Sequence, residues 1–106
     1  MPAYLYGFGF ECPRQSRNNA ALGYDDEDSQ AVLIDANDEA SALAWGETIS
    51  EAFIKVLFCD DQISWRSQQF ASWIEPATPS SSNLQRVPVG VFPDFASWIS
   101  PYKDEC

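Results

Sequence analysis

The chain has 106 residues, of which 45% are apolar and 14% aromatic, and its sixteen Asp and Glu outnumber its six Lys and Arg. The resulting net charge of −10 repels nucleic-acid phosphates and anionic membrane lipids, which both recruit basic proteins. The absence of His excludes Ser-His and Cys-His nucleophile pairs within the chain. We expect a single domain over residues 1–106 with one hydrophobic core.

Residues 3–11 alternate in character and predict the first strand. Glycines fall on one side of this strand, and aromatic rings fall on the other: Tyr4, Tyr6, Phe8 and Phe10. The segment YGFGFE is similar to the centre of the RNA-binding motif K/R-G-F/Y-G/A-F-V-x-F/Y. Glu11 and Pro13 stand where that motif needs Val and an aromatic residue. We therefore expect the rings to pack on a helix or, if they face away from it, to form a homodimer surface.

A long polar connection covers residues 12–29, and loops of this length are usually functional or mobile. It contains Arg14 and Arg17, followed by the acidic run 25–28. Acidic stretches of this kind can bind calcium. The sequence pattern of a calcium-binding loop is D-x-[DN]-x-[DN]-G-x₅-E. The stretch that starts at Asp35 lacks both the turn glycine and the final Glu of that pattern. We expect no metal site and no cofactor.

Residues 30–36 contain an unbroken apolar run, which is typical of an interior strand. Asn37 or Asp38 is suited to cap the next element, a helix that extends to Phe58 with one apolar stripe. Gly46 costs such a helix about 1 kcal/mol relative to Ala, and it predicts a close approach between the helix and the sheet.

The segment FASWI occurs at residues 70–74 and again at 95–99, each time two residues before a Pro. The flanking residues differ, so the chain is not a repeat protein. In a helix, the Phe, Trp and Ile of each copy share one face. We predict two short core-anchoring helices, with a pair of partner-binding aromatic patches as the alternative. A strand is expected at residues 86–92, at an edge or a bulge because of Pro88, and a short one at 63–65.

This order of elements predicts an α+β domain. A small antiparallel sheet of three or four strands would carry one long amphipathic helix and two short helices. The nearest simple template is a loosely ferredoxin-like arrangement, from which the second long helix is missing.

Cys12, Cys59 and Cys106 are widely spaced and contain no C-x-x-C motif, which argues against zinc and thioredoxin-type sites. We expect three reduced thiols, with Cys59 buried. The first residues resemble no signal peptide, and no stretch is long enough to span a bilayer. These features predict a cytoplasmic protein.

In size and charge the chain resembles small acidic bacterial immunity and inhibitor proteins. Charge and resemblance favour a non-enzymatic protein that occludes a basic partner, such as a toxin or nuclease, by charge complementarity. The predicted electrostatic face consists of Asp25, Asp26, Glu27, Asp28, Asp60 and Asp61. Arg14 and Arg17 would add hydrogen bonds to carboxylates of the partner.

The sequence is also compatible with three alternatives. Ordered carboxylates could imitate the phosphate spacing of DNA, which would make the chain a DNA mimic. The chain could be a homodimeric accessory domain that uses the aromatic side of the first strand. It could also be a small enzyme with paired carboxylates, and a deep cleft that holds two buried acids would favour that interpretation.

Overall fold

The computed structural model describes residues 2–11, 21–23, 28–68, 70–77 and 84–99. The elements in chain order are β1 (Ala3–Phe10), β2 (Asp28–Asp35), α1 (Glu39–Leu57), a 3-10 helix (Arg66–Gln68), β3 (Ser72–Pro76), β4 (Arg86–Pro88) and α2 (Phe95–Ile99). The described strands form one four-stranded sheet in the order β3-β1-β2-β4. Helix α1 packs on one side of that sheet, so the described residues form an α+β fold.

The aromatic side of β1 faces α1 and forms the centre of the hydrophobic core. Tyr6, Phe8 and Phe10 are buried, and Tyr4 packs against the same cluster. The expectation that these rings pack on a helix is confirmed. The rings of Tyr6, Phe8 and Phe10 are therefore not available to a homodimer surface, and Tyr4 is half-buried.

Helix α1 approaches β1 closely where the Tyr6 ring lies against the backbone of Gly46. A Cβ at position 46 would lie only 2.4 Å from carbons of the ring, so a glycine is needed there, as the sequence predicted. The Tyr6 hydroxyl lies 2.7 Å from Ser50 Oγ, and Ser50 Oγ donates to the Gly46 carbonyl at 3.1 Å. Burial raises the pKa of Tyr6 to about 12, and the phenol therefore stays neutral at physiological pH.

The two FASWI copies have different structures, so the prediction of two short helices is half wrong. The second copy forms α2, and Asp94 caps it by accepting the amide of Ala96 at 3.1 Å. The first copy leads into β3, which pairs with β1 in an antiparallel register. There the Trp73 indole lies across Gly7, where a Cβ would come within 2.2 Å of the indole. The surroundings of each copy, and not its own residues, decide which structure it adopts.

Strand β4 corrects the prediction of an antiparallel sheet. It pairs with β2 in parallel, while β1 is antiparallel to both of its neighbours, so the sheet is mixed. The chain passes from β2 to β4 through α1 and β3, and a long crossover of this kind can return it in the same direction. Pro88 lies in an edge strand as predicted, but the strand ends there and the chain turns at Gly90, which has a φ of +96°.

Two further expectations are not met. Residues 63–65 form no strand. The described residues also do not confirm the ferredoxin-like template, because the parallel β4 lies beside β2 at one edge and β3 lies beside β1 at the other.

Both ends of α1 have defined caps. Asp38 accepts the amide of Ser41 at 2.7 Å, which is the predicted N-cap. At the other end, the amide of Asp60 donates to the Lys55 carbonyl at 3.0 Å and that of Cys59 to Val56 at 3.2 Å, the pattern of a Schellman motif. Cys59 takes the left-handed position of this motif, with a φ of +52°.

Cys59 is exposed and disulfide-bonded, which corrects the expectation of a buried, reduced thiol. It follows the last turn of α1, beyond the buried apolar residues of the helix, so its side chain lies outside the core. Its partner lies outside the described residues. Among the helices of the described segments, none is long and apolar enough to cross a membrane.

Replacing Gly46 with Ala should destabilise the protein, although Ala favours helices by about 1 kcal/mol. The new methyl group would overlap the Tyr6 ring, and overpacking of this kind costs about 1–3 kcal/mol. Urea unfolding measures the change. In a Tyr6→Leu background the same substitution should cost less, because the ring is gone. A stabilised Gly46→Ala protein would contradict the packing described here.

The left-handed backbone at Cys59 gives a second prediction. Cys59→Gly and Cys59→Ala remove the disulfide equally, but only Ala is strained at a positive φ. We expect the Gly variant to be more stable by about 1 kcal/mol in urea unfolding. Equal stabilities would show that the helix does not end in this conformation.

Candidate functional site

The direction of α1 determines which residues meet at each end of the molecule. Tyr6 contacts Gly46 in the middle of the helix, whereas the ring of Phe10 lies 5.0 Å from that of Phe53, nearer the helix end. The helix therefore runs along β1 in the same direction and antiparallel to β2. Its last turn lies at the end of the sheet where β1 finishes and β2 begins.

Acidic side chains from three elements lie at this end, which we call the acidic end: Glu11, Asp28, Asp60 and Asp61. Asp28 opens β2 in register with Phe10, and Glu11 directly follows that residue. Asp60 and Asp61 follow α1 and are exposed. Of the predicted electrostatic face, the structure describes Asp28, Asp60 and Asp61, and it places all three toward this end of the sheet and helix. Glu11 was missed, because it stands alone in the sequence and only strand pairing brings it beside Asp28.

The other predicted site residues lie outside the described residues, and they are Arg14, Arg17, Asp25, Asp26 and Glu27. The acidic run 25–28 ends at Asp28, the first residue of β2.

Hydrogen bonds hold the turn that carries Asp60 and Asp61. The Asp60 amide is bonded within the Schellman motif at 3.0 Å, and the Asp60 carboxylate accepts the Gln62 amide at 2.9 Å. Both aspartates are exposed, so their charges face solvent from a defined backbone.

Glu51 organises the segment that follows this turn. Its carboxylate accepts the Arg66 amide at 2.7 Å and the Ser64 hydroxyl at 3.0 Å, and Lys55 Nζ lies 3.5 Å away. Burial disfavours the charged form, but the hydrogen bonds from Arg66 and Ser64 and the nearby positive charges outweigh it and lower the pKa of Glu51. The sequence showed only the i,i+4 pair with Lys55, because the other contacts join residues that lie at least 13 positions apart.

Every basic side chain in the described part of the chain pairs with a carboxylate of the same chain. The nitrogen–oxygen distances range from 2.6 to 3.7 Å. Consequently, no described cation is left unpaired to neutralise the acidic end. The pairs are Lys55 with Glu51, Arg66 with Glu47 and Glu51, and Arg86 with Asp35.

A cavity of about 160 Å³ lies where β2 passes into α1, beside β4. Its carboxylate, Asp35, accepts three hydrogen bonds from the Arg86 guanidinium at 2.6–3.0 Å. These bonds hold the pKa of Asp35 below its ordinary value. No group of three or more Cys, Asp or Glu among the described residues is arranged to hold a metal ion.

Comparison with known proteins adds no relative: the chain matches no protein-family model, no curated protein and no solved structure.

Glu51 predicts how stability depends on pH. Because its folded pKa lies below the ordinary 4.5, its stabilising effect is complete above that value and is lost as the pH falls through the folded pKa. At pH 7, Glu51→Gln should lower the free energy of unfolding by about 1–3 kcal/mol, the usual cost of losing charged hydrogen bonds.

The difference in the free energy of unfolding between wild type and Glu51→Gln, measured by urea unfolding, should become smaller below pH 4.5. Glu39→Gln serves as the control, since Glu39 is an exposed helix residue, and it should change little. A difference between wild type and Glu51→Gln that is independent of pH would contradict the charged role of Glu51.

Proposed function

We propose that this protein is a non-enzymatic acidic binding protein, most concretely an immunity protein or inhibitor that occludes a basic toxin or nuclease by charge complementarity. One observation supports the proposal. In a chain with a net charge of −10, each of the basic side chains that the structure describes is paired with a carboxylate outside the acidic end, so none of them offsets the charge there.

A surface of this kind attracts a cationic protein over a distance. At an ionic strength of about 10 mM the screening length is roughly 30 Å, and it falls to about 8 Å at physiological salt. Complementary charge can raise association rates from about 10⁵–10⁶ to 10⁸–10⁹ M⁻¹s⁻¹. The acidic end would lie over the basic cleft of the partner and block access to it.

The proposed partner is a basic protein, with no direct binding to nucleic acid or membranes. A DNA mimic is one version of this proposal, in which the partner is a DNA-binding protein and duplex DNA competes for the same surface. A cytoplasmic location stays a prediction. The disulfide at Cys59 is typical of oxidising environments and favours an oxidising compartment instead. Alkylation of free thiols in intact cells would decide between the two compartments, because it shows whether the cysteines are reduced there.

A charge reversal tests the proposal with a partner obtained by affinity capture from the native cell at low salt. Asp61→Lys should slow association about three- to tenfold at about 10 mM ionic strength, because it reverses a charge that steers the partner. The salt dependence of the rate should flatten. Stopped-flow mixing measures both quantities.

Glu39→Lys is the matched control. Glu39 is also exposed, the change in charge is the same, and it lies in the first turn of α1, at the opposite end of the helix. We expect Glu39→Lys to slow association less than Asp61→Lys does. If Asp61→Lys and Glu39→Lys slow association equally, net charge and not the acidic end attracts the partner.

A further inference from the structure

We propose that the outer edge of β3 receives an extended, basic segment of the partner as a fifth strand of the sheet. The inference rests on the proposed function, because it assumes a basic partner. The acidic end would attract the partner, and the edge of β3 would be the surface that the partner then binds.

The register of β3 shows which backbone groups point outward. Gly9 donates to the Ala71 carbonyl at 2.8 Å, and Ala77 donates to that of Ala3 at 3.1 Å. In an antiparallel ladder every second residue bonds to the neighbouring strand, so Trp73 and Glu75 bond to β1. Between them, Ser72 and Ile74 direct their N–H and C=O groups away from β1.

Pro76 agrees with this assignment. It occupies the same alternating set as Ser72 and Ile74, at a position where an N–H would have no partner in β1. A proline is tolerated there for that reason. The edge that remains available runs from Ser72 to Ile74 and ends at the Pro76 carbonyl.

Little in the described residues protects this edge. Strand β3 is the last strand on its side of the sheet, and its register with β1 contains no bulge. Ser72, Trp73, Glu75 and Pro76 are exposed. Natural proteins usually guard such an edge with charged side chains, especially lysine, and with proline, bulges or a covering element. In β3 the one charged residue is the acidic Glu75, and the proline stands at the end of the strand. An unguarded edge is the surface to which an extended peptide adds by main-chain hydrogen bonds.

The chemistry beside the edge selects a basic occupant. Glu75 and Trp73 lie on the side of the sheet away from α1, and Trp73 is 42% exposed. A Lys or Arg on an added strand can pair with this carboxylate and lie against the indole ring, an arrangement that attracts cations. A second copy of the chain is disfavoured, because it would bring together two molecules that each carry a charge of −10.

Strand geometry also gives the pattern of the occupant. Side chains of an added strand alternate between the two sides of the sheet, so basic residues are expected at every second position, facing Trp73 and Glu75. The residues between them would face the side of Ser72 and Ile74. There a small or β-branched side chain fits beside the half-buried Ile74.

The test uses an acetylated, amidated octapeptide of alternating Lys and Thr, and an equivalent peptide of alternating Glu and Thr as control. Amide hydrogen exchange of the full chain is followed by NMR. In the free protein the amides of Ser72 and Ile74 should exchange faster than those of Trp73 and Glu75. At about 90% occupancy by the Lys peptide, their exchange should slow on the order of tenfold, because it then proceeds from the free fraction.

Two variants at Ser72 separate backbone pairing from simple charge attraction. Ser72→Pro removes the outward N–H, whereas Ser72→Ala keeps it, and both lose the hydroxyl. We expect the Ala variant to bind the Lys peptide and the Pro variant to bind it at least about tenfold more weakly, a loss of about 1.4 kcal/mol.

A charge reversal keeps the test decisive even if Ser72→Pro fails to fold. Glu75→Lys should reverse the preference, so that the Glu peptide protects Ser72 and Ile74 and the Lys peptide does not. Glu39→Lys makes the same change in charge away from the edge and should retain the original preference. Protection confined to residues other than 72 and 74, equal binding of both peptides, or an unchanged preference in Glu75→Lys would overturn the inference.

The two proposals fail separately. If the peptides leave Ser72 and Ile74 unprotected while Asp61→Lys still slows the natural partner, only the strand-addition surface is wrong. If the peptides bind as expected while Asp61→Lys and Glu39→Lys behave alike with the natural partner, the role of the acidic end is wrong.

Discussion

The contact between Tyr6 and Gly46 is the constraint on which the rest of the structure depends. An aromatic ring on the sheet can lie this close to a helix only where the helix has no Cβ. The hydroxyl of the ring would then be buried without a partner, at a cost of about 1–3 kcal/mol. Ser50, one turn along the helix, provides that partner. This single contact therefore sets the distance between α1 and β1 and their relative alignment.

That alignment has consequences for the charged surface. Because α1 runs along β1, its last turn finishes where β1 ends and β2 begins, and acidic residues distant in sequence become neighbours. The Schellman motif at Cys59 and the side chain of Asp60 then hold the turn that presents Asp61. Glu51 holds the next segment through the Arg66 amide and the Ser64 hydroxyl. Separately, the basic side chains that the structure describes, Lys55, Arg66 and Arg86, are each paired with a carboxylate of the same chain.

The sheet has two edges of different character. At one edge, β4 is short and is followed by a turn at Gly90, and its Arg86 is bound by Asp35. At the other edge, β3 is held to β1 partly through the fit of Trp73 over Gly7. Attraction by the acidic end and pairing along β3 are compatible with one binding event, because β3 begins beside the last residues of β1. A partner drawn to the acidic end would meet this edge next.

Much of the fold follows from local patterns. Alternating aromatic residues predicted β1, the apolar run predicted an interior β2, and the stripe of apolar residues after Asp38 predicted α1 with its cap. Gly46 was recognised as a point of close approach, since a glycine inside a helix has a cost that needs a compensating contact. These features depend on residues a few positions apart, and the chain's own periodicity is enough to reveal them.

Tertiary structure alone decided the rest. The FASWI segment has the same residues in both copies. The first copy pairs with β1, where Gly7 leaves space for the Trp73 indole. The second copy follows Asp94, which caps a helix. Other features also join residues that are distant in sequence. They are the parallel pairing of β4 with β2, the hydrogen bonds from Ser64 and Arg66 to Glu51, and the position of Glu11 near Asp28. The sequence by itself determined the strong negative charge and the main elements. How Arg66 and Arg86 are paired, and that β3 lies at an edge of the sheet, depended on long-range contacts that no local pattern encodes.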